Sequence, residues 1–505
     1  MSSWSEGYFS SVGYTYGYYE NLQPQRIIIP FLAAGLIPPK IINACELGFG
    51  QGISFNIHSA AGNADWYGTD FNPNHAAFAQ QLADSFSSGA LISDQAFHEF
   101  CQREDLPEFD FIALHGIWSW ISDENRAVIV EFIRRKLKIG GVLHISYNTL
   151  PGWSAKAPVR HLLSVYQQAT AVEGQSHEAN VKNTLELSEK TLALSHGLVK
   201  ESPALADKIQ ELKNTNINYL AHEYLNKDWQ PMYFSEMQEW LEPAKVSFAC
   251  SSNFLDDFNP VLFSTEQAEF ISGLGNRTLM QTAKDFILNK QFRADLWVKG
   301  RVTAPHSVLR DAWSELNVMF ITARKDFDFA ISRRIRTNLN EEMTNPILDL
   351  LEDGEVHNVG ELYNAIGHDG LFEILSILYS CGHLVLVQDK KDIERAQPRC
   401  EKLNRYIMNQ AREREDIHYL ASPLTGGAIQ VNRVEQLFLL AHLQGMESHD
   451  WGKFVWKFLQ QQGQRLIADG KTLESEEDNL RQLEKLADTF IQNRLPLLKR
   501  LLFVA

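Results

Sequence analysis

The sequence predicts an α/β fold: a Rossmann-like, mostly parallel sheet with a helical insertion, followed by a winged-helix-like segment and a helical C-terminal region. Three observations predict it. From Ile41 to Asn148 short apolar runs alternate with helically spaced apolar positions, which is how a parallel sheet with crossover helices reads. A glycine-rich turn, Glu46-Leu47-Gly48-Phe49-Gly50-Gln51-Gly52, directly follows the first run. From about 158 to 220 the chain turns polar, helical and poor in glycine, so an insertion interrupts the pattern where the sheet would otherwise finish.

The expected strands are Ile41 to Leu47, Trp66 to Asp70, Ala90 to Ser93, Phe109 to His115 and Gly141 to Tyr147. Before the last, Asp123 can cap a helix that carries Val128, Ile129, Phe132, Ile133 and Leu137 on one face and stops at Gly140-Gly141. Val246 to Ser252 and Asp295 to Arg301 are late strands that extend this first domain, with its helical lid, over residues 1–300. Residues 301–395 form a second unit. Helices at Pro346 to Glu352, Val359 to Ile366 and Leu371 to Ser380, then a strand pair at Gly382 to Val387, give it the outline of a winged helix. Residues 396–505 are helical and close on an apolar helix, Leu495 to Phe503.

At 505 residues the chain exceeds one ordinary core, in keeping with two or three domains. The net charge of −16, from 63 acidic and 47 basic residues, repels polyanions and favours a cationic or neutral substrate. The third winged-helix helix, Leu371 to Tyr379, carries no Lys or Arg for phosphates, so neither nucleic acid nor membrane is an expected partner. The five cysteines are scattered and never spaced as a zinc knuckle, and Met1 to Glu6 has neither basic head nor apolar run. A soluble protein of the cytoplasm is the expectation; the oligomeric state stays open.

The chemistry centres on the glycine turn. Glycines there let backbone pass close to a ligand, and Glu46 at the strand end can meet a positively charged amino group. A nicotinamide fingerprint needs its third glycine at position 53, where Ile53 stands. Asp70 ends the next strand and can accept both hydroxyls of a ribose, or else cap the helix from Pro73; together with the turn it suggests a nucleoside site. Asp94 can accept from an adenine amino group or cap a loop.

Two further segments, His115-Gly116-Ile117-Trp118-Ser119-Trp120 and Ser146 to Trp153, follow the fourth and fifth strands and should face the reacting centre. His115, Tyr147 and Asn148 are the catalytic candidates. Trp118, Trp120 and Trp153 can wall a channel that attracts a sulfonium or ammonium, or simply pack in the core. Were the acceptor a lysine, deprotonating it at neutral pH would cost about 4–5 kcal/mol, which a desolvating channel and His115 can help supply. Metalloprotease, serine-hydrolase and P-loop signatures are missing, and His98-Glu99 and His222-Glu223 are isolated pairs, so no metal is expected.

These residues resemble a family, the class I methyltransferases with a methyltransferase regulatory domain. The resemblance runs over nearly the whole chain, through Tyr16-Gly17-Tyr18-Tyr19, Pro24-Gln25-Arg26, Leu114 to Trp120 and Ser146 to Trp153. It continues in a regulatory segment of about 215–300, through Tyr219 to Asn226, Trp229, Pro231, Tyr233-Phe234, Asp285-Phe286, Phe292-Arg293 and Val298-Lys299-Gly300. It implies S-adenosylmethionine as cofactor, held by Glu46, Gly48, Phe49, Gly50, Gly52, Asp70, Asp94 and His115, and adds Tyr18, His222 and Tyr224 to the substrate channel. Some members look like lysine methyltransferases of bacterial outer-membrane proteins, which makes a protein lysine the leading acceptor. A small-molecule acceptor, and a non-catalytic scaffold that senses the cofactor, are the alternatives. Those lysine methyltransferases tend to carry His-Pro ahead of the glycine turn, where this chain has Gln23-Pro24.

Overall fold

Seven strands form the central sheet of the computed structural model, which describes residues 15–501 apart from 173, 216–219, 221–223 and 225. They are β1 (Asn43–Leu47), β2 (Asp65–Thr69), β3 (Leu91–Ser93), β4 (Phe109–Leu114), β5 (Leu137–Asn148), β6 (Val246–Ser251) and β7 (Phe292–Lys299). Their order is β3-β2-β1-β4-β5-β7-β6, and β7 runs antiparallel to both its neighbours. Every residue of β4 is buried, as a strand covered on both faces should be, and its Asp110 is satisfied by Ile42 N, Asn43 N and Lys138. The chain reverses its direction of travel between β1 and β4, which opens a crevice beyond their carboxyl ends. Glu46, Asp70 and His115 all arrive at that edge.

Helix α1 (Ile28–Ala33) precedes the sheet, and α2 (Ile53–Ala61) and α3 (Pro73–Ser85) cross over between the first strands. All nine residues of α2 are buried, because the helix has the sheet on one side and the C-terminal region on the other. Its Ile53, Ile57, Ala60 and Ala61 share a core with Leu403, Ile407, Leu420 and Leu437. A short α4 (Phe97–Phe100) follows β3, and α5 (Asp123–Lys136) follows β4.

Two expectations about α5 are corrected. Ser122 Oγ, accepting from Asn125 N at 3.3 Å, is the cap, and Asp123 lies inside the first turn. The helix ends at Lys136, ahead of Gly140-Gly141, because β5 begins at once with buried Leu137 opposite Phe109. Gly140, at φ +78°, instead absorbs a register shift within the β4–β5 pair.

Between β5 and β6, α6 (Ala157–Thr170), α7 (His177–Leu194), α8 (His196–Glu201) and α9 (Ala204–Lys213) enclose a small core of their own, including Val159, Leu163, Val181, Leu205 and Ile209. Beyond the sheet, helices Glu341–Leu351, Val359–Ile366 and Gly370–Ser380 lead into strand Leu384–Val387. The strand pair expected within Gly382 to Val387 is this single strand, which pairs antiparallel with the earlier β8 (Asn317–Phe320). Leu371, Ile374, Leu375, Ile377 and Leu378 of the third helix are buried in packing. Helix Lys390–Gln410 runs straight through the expected junction at 395 and 396. The last helix is Leu495–Arg500, and Phe503 lies outside the described residues. No helix among the described residues is long and apolar enough to cross a membrane.

Candidate active site

The turn after β1 is built from left-handed backbone. Gly48, Gly50 and Gly52 have φ of +80°, +58° and +71°, which a side chain would strain. A Cβ on Gly48 would meet Ile117 Cδ1 at 2.4 Å, and one on Gly52 would meet Ala79 Cβ at 2.5 Å. The second contact is helix packing: Gly52 caps α2 and stands away from the cavity, while Asn56 Nδ2 donates to the carbonyls of Gly52 and Ala79.

Asp70 ties this turn to the next strand. One carboxylate oxygen accepts from Gly50 N at 2.8 Å, and the other accepts from Asn72 N at 3.0 Å and faces His75 Nδ1 at 3.0 Å. The helix cap at Pro73 falls to Asn72, whose Oδ1 accepts from Asn74 N. A backbone N–H that would greet a phosphate is thus already given to a carboxylate.

Around the turn lies a cavity enclosing roughly 940 Å³ with its mouth. Its lining combines Glu46, Gly48, Phe49, Gly50, Gln51 and Asp70 with His115, Gly116, Ile117, Trp120, Ile121 and Asn226. Thr15, Gly17, Tyr19, Phe71, His75 and Phe97 also line it, so among the described residues the lining carries two carboxyl groups and no Lys or Arg. Glu46 is 3% exposed, and its Oε2 has no hydrogen-bond partner among the described residues. Burial, and then the neighbouring Asp70 charge, push its carboxyl up to about 8.

His115 stands on the cavity wall with its ring 4.4 Å from that of Tyr19, and Ser146 Oγ lies 3.3 Å from its Nδ1. The same Oγ accepts from Gly116 N at 2.8 Å. Burial pulls the imidazole down to about 4, so it is neutral at pH 7 and a weak base.

The other expected site residues divide by location. Tyr147 and Asn148 do not line the cavity. Tyr147 is buried in the sheet and donates its hydroxyl to Asp295 at 3.0 Å, within a cluster in which Arg293 bonds Asp295 at 2.8 Å and Asp285 at 2.7 Å. Asn148 is held through its backbone by Ser119 Oγ and Met232 N. Asp94 is exposed outside the lining. Trp118 is fully buried, with its indole N–H toward Met232 Sδ at 3.3 Å, which is a core role. Tyr18 faces the C-terminal region: its hydroxyl accepts from Ala428 N at 3.0 Å. His222 lies outside the described residues, as do Tyr219, Ala221, Glu223 and Leu225.

Trp120 does line the cavity, and it begins a row of rings. Trp229 is 6.3 Å from Trp120, Trp153 is 5.1 Å from Trp229, and Tyr224 is 6.3 Å from Trp153. The Arg160 guanidinium of α6 sits 5.0 Å from the Trp229 ring and 5.8 Å from Trp120. Trp153 and Tyr224 therefore touch the site through Trp229. Sequence reasoning missed Tyr19, Phe71, Phe97 and Asn226 as lining residues. Only Tyr19 had a usable signal, its place two residues beyond Gly17 in an extended aromatic string.

The placement of Tyr147 predicts a separation of stability from binding. Tyr147→Phe should lower unfolding free energy by about 2 kcal/mol, the worth of a buried hydrogen bond to a carboxylate, and leave nucleoside affinity within about twofold. Denaturant titration and calorimetry on one preparation check both; a large affinity loss would put the hydroxyl back in the site.

A family model described as a predicted methyltransferase regulatory domain matches residues 216–299. That stretch contains β6 and β7, so the regulatory segment is built into the sheet. An uncharacterized protein of Synechocystis sp. is 34% identical over 510 residues, covering 99% of each chain. The structure of PKMT2 from Rickettsia typhi in complex with AdoHcy superposes with a TM-score of 0.66 over 95% of this chain and 98% of that one, at 16% identity. PKMT2 without that ligand gives 0.64 over 97% and 99%, also at 16% identity. At such identity the likeness speaks for the fold, and the full-length relative for the family. The chain carries a methyltransferase regulatory domain, belongs to one family with the Synechocystis protein and has the class I methyltransferase fold that PKMT2 shows.

Proposed function

We propose that the cavity binds S-adenosylmethionine and that the acceptor is an amine, the side chain of a protein lysine. The observation that carries the cofactor reading is the buried Glu46 carboxyl, which among the described residues has no partner on Oε2 and shares with Asp70 a lining without Lys or Arg. An amino group would satisfy it, whereas a pyrophosphate would meet the Asp70 carboxylate and a glycine turn whose Gly50 N–H is already used. Glu46 would hold the amino group, Asp70 the ribose hydroxyls, and Phe71, Phe97 and Ile117 would give the base an apolar wall. When bound, the cofactor supplies a methyl group activated on a sulfonium sulfur.

The chain's own contribution is alignment and exclusion of water. His115, neutral and weakly basic, shapes the wall beside Tyr19 and is unsuited to drawing a proton from an ammonium whose reference pKa is about 10.4. Arg160 offers a different aid. Its positive charge behind Trp120 and Trp229 disfavours a protonated amine on that side and so promotes the neutral nucleophile.

Three things support lysine: the resemblance read in the sequence, the full-length overlap with PKMT2, and a net charge of −16 that draws a cationic partner. Labelled S-adenosylmethionine added with the protein to a dialysed bacterial lysate should place label in protein, on lysine by mass spectrometry. Label confined to small molecules would sink the lysine assignment; no label anywhere, with binding intact, would favour the sensing scaffold.

A further inference from the structure

The described chain begins with a strap that lies between the cavity and the C-terminal region. Thr15, Gly17 and Tyr19 line the cavity. The residues between them face the other way. Tyr16 lies under the Arg414 guanidinium at 4.4 Å, and Tyr18 packs on Tyr419 at 5.1 Å and accepts from Ala428 N. Such alternation is the period of an extended chain, one face to each neighbour.

Contacts further along continue on the C-terminal side. Gln23 Nε2 donates to Thr425 O at 2.6 Å, and Gln25 Nε2 to Gln388 Oε1 at 2.9 Å. Tyr419, Thr425 and Ala428 belong to the hairpin of Tyr419–Ser422 and Gly427–Gln430, while Gln388 and Arg414 lie outside it. Its turn glycines leave room for the strap. A Cβ on Gly427 would stand 2.3 Å from Gln23 Oε1 and 2.8 Å from the Tyr18 hydroxyl, and one on Gly426 would meet Gln25 Nε2 at 2.7 Å. Tyr19, by contrast, is fixed on the cavity side, its N–H donating to Ser54 Oγ of α2 at 2.7 Å and its ring resting on His115.

We propose that the C-terminal hairpin is a positioning element for the cofactor: it clamps the even-numbered face of the strap so that Gly17 and Tyr19 close over the bound nucleoside. The inference rests on reading the cavity as the cofactor site. It gives the C-terminal region a defined task, setting how long the cofactor stays, with no residue of that region touching it. Gln23, Tyr18 and Gly427 act through Tyr19 and are positioning residues.

The test is Gly427→Ala in the full-length protein, with Gln23→Ala as the milder second variant. Gly427 has ordinary backbone, so alanine adds only the methyl that presses on the strap. Gly427→Ala should raise the dissociation constant for S-adenosylhomocysteine about tenfold, through faster release, and Gln23→Ala about threefold. KM for S-adenosylmethionine should rise in step while kcat at saturating cofactor stays within about twofold, a split that general loss of folded protein would not produce. Binding and release at the parent values in both variants, with unchanged thermal unfolding, would overturn the clamp. Failure of the parent itself to bind S-adenosylhomocysteine would instead overturn the cofactor reading.

Discussion

Replacing Glu46 by glutamine is expected to weaken S-adenosylhomocysteine binding about a hundredfold, or about 2.7 kcal/mol, while leaving the fold intact. The reason is an imbalance in the free protein. Glu46 is buried at the end of β1 with Oε2 unpartnered among the described residues, and its carboxyl is raised from 4.5 to about 8. A raised carboxyl favours the folded state fully below about 4.5 and loses that contribution as pH climbs through about 8. At pH 7 the free protein therefore holds a proton that a cationic amino group must displace. Binding between pH 6 and 7 should release close to one proton, falling to about half at pH 8, seen as a dependence of calorimetric enthalpy on buffer ionisation, and affinity should rise across that interval. In Glu46→Gln the proton release should vanish along with the affinity. A parent protein that releases no proton, or a variant that binds as the parent does, would remove Glu46 from the amino-group site.

Gly48→Ala should do comparable damage by a different route. The position has φ +80°, and the new methyl would lie 2.4 Å and 2.7 Å from two carbons of Ile117, itself part of the cavity wall. Either Ile117 moves or the turn does. Strain in the left-handed region costs about 1–2 kcal/mol of stability, and disturbing both walls of the pocket should cost about a hundredfold in nucleoside affinity. The double variant Gly48→Ala with Ile117→Ala removes the clash and should regain part of the binding but none of the backbone strain, a coupling readable from calorimetry and denaturant unfolding in a double-mutant cycle. Equal affinity in Gly48→Ala and the parent would mean that the turn does not approach the ligand.

Much of the sheet was legible because its signals are local. β1, β2, β3 and β4 lie within two residues of the expected bounds, since each is a short, mainly apolar segment set between helical stretches. The end of α5 was not legible: glycines at 140 and 141 resemble a helix stop, yet pairing of Leu137 with Phe109 draws the chain into β5 first. The strand partner of Leu384–Val387 was also hidden, because β8 lies more than sixty residues earlier and nothing local announces that pairing.

The site shows the same division. Glu46, Gly48, Gly50, Asp70 and His115 could be read because each follows a strand by a fixed offset, and strand ends in a parallel sheet share one edge. Tyr147 and Trp118 could not be sorted that way. Alternation along a strand says that a side chain faces one side, not whether a cavity or a buried Asp295–Arg293 cluster lies there. Sequence alone determined the family, the parallel sheet and the glycine turn, because these depend on neighbours a few residues apart. Only the tertiary structure decided which rings meet the cavity, that the regulatory segment completes the sheet, and that the C-terminal hairpin grips the strap at Tyr18 and Gln23. Those are contacts across hundreds of residues, made by packing and hydrogen bonding between surfaces whose shapes exist only after the chain has folded.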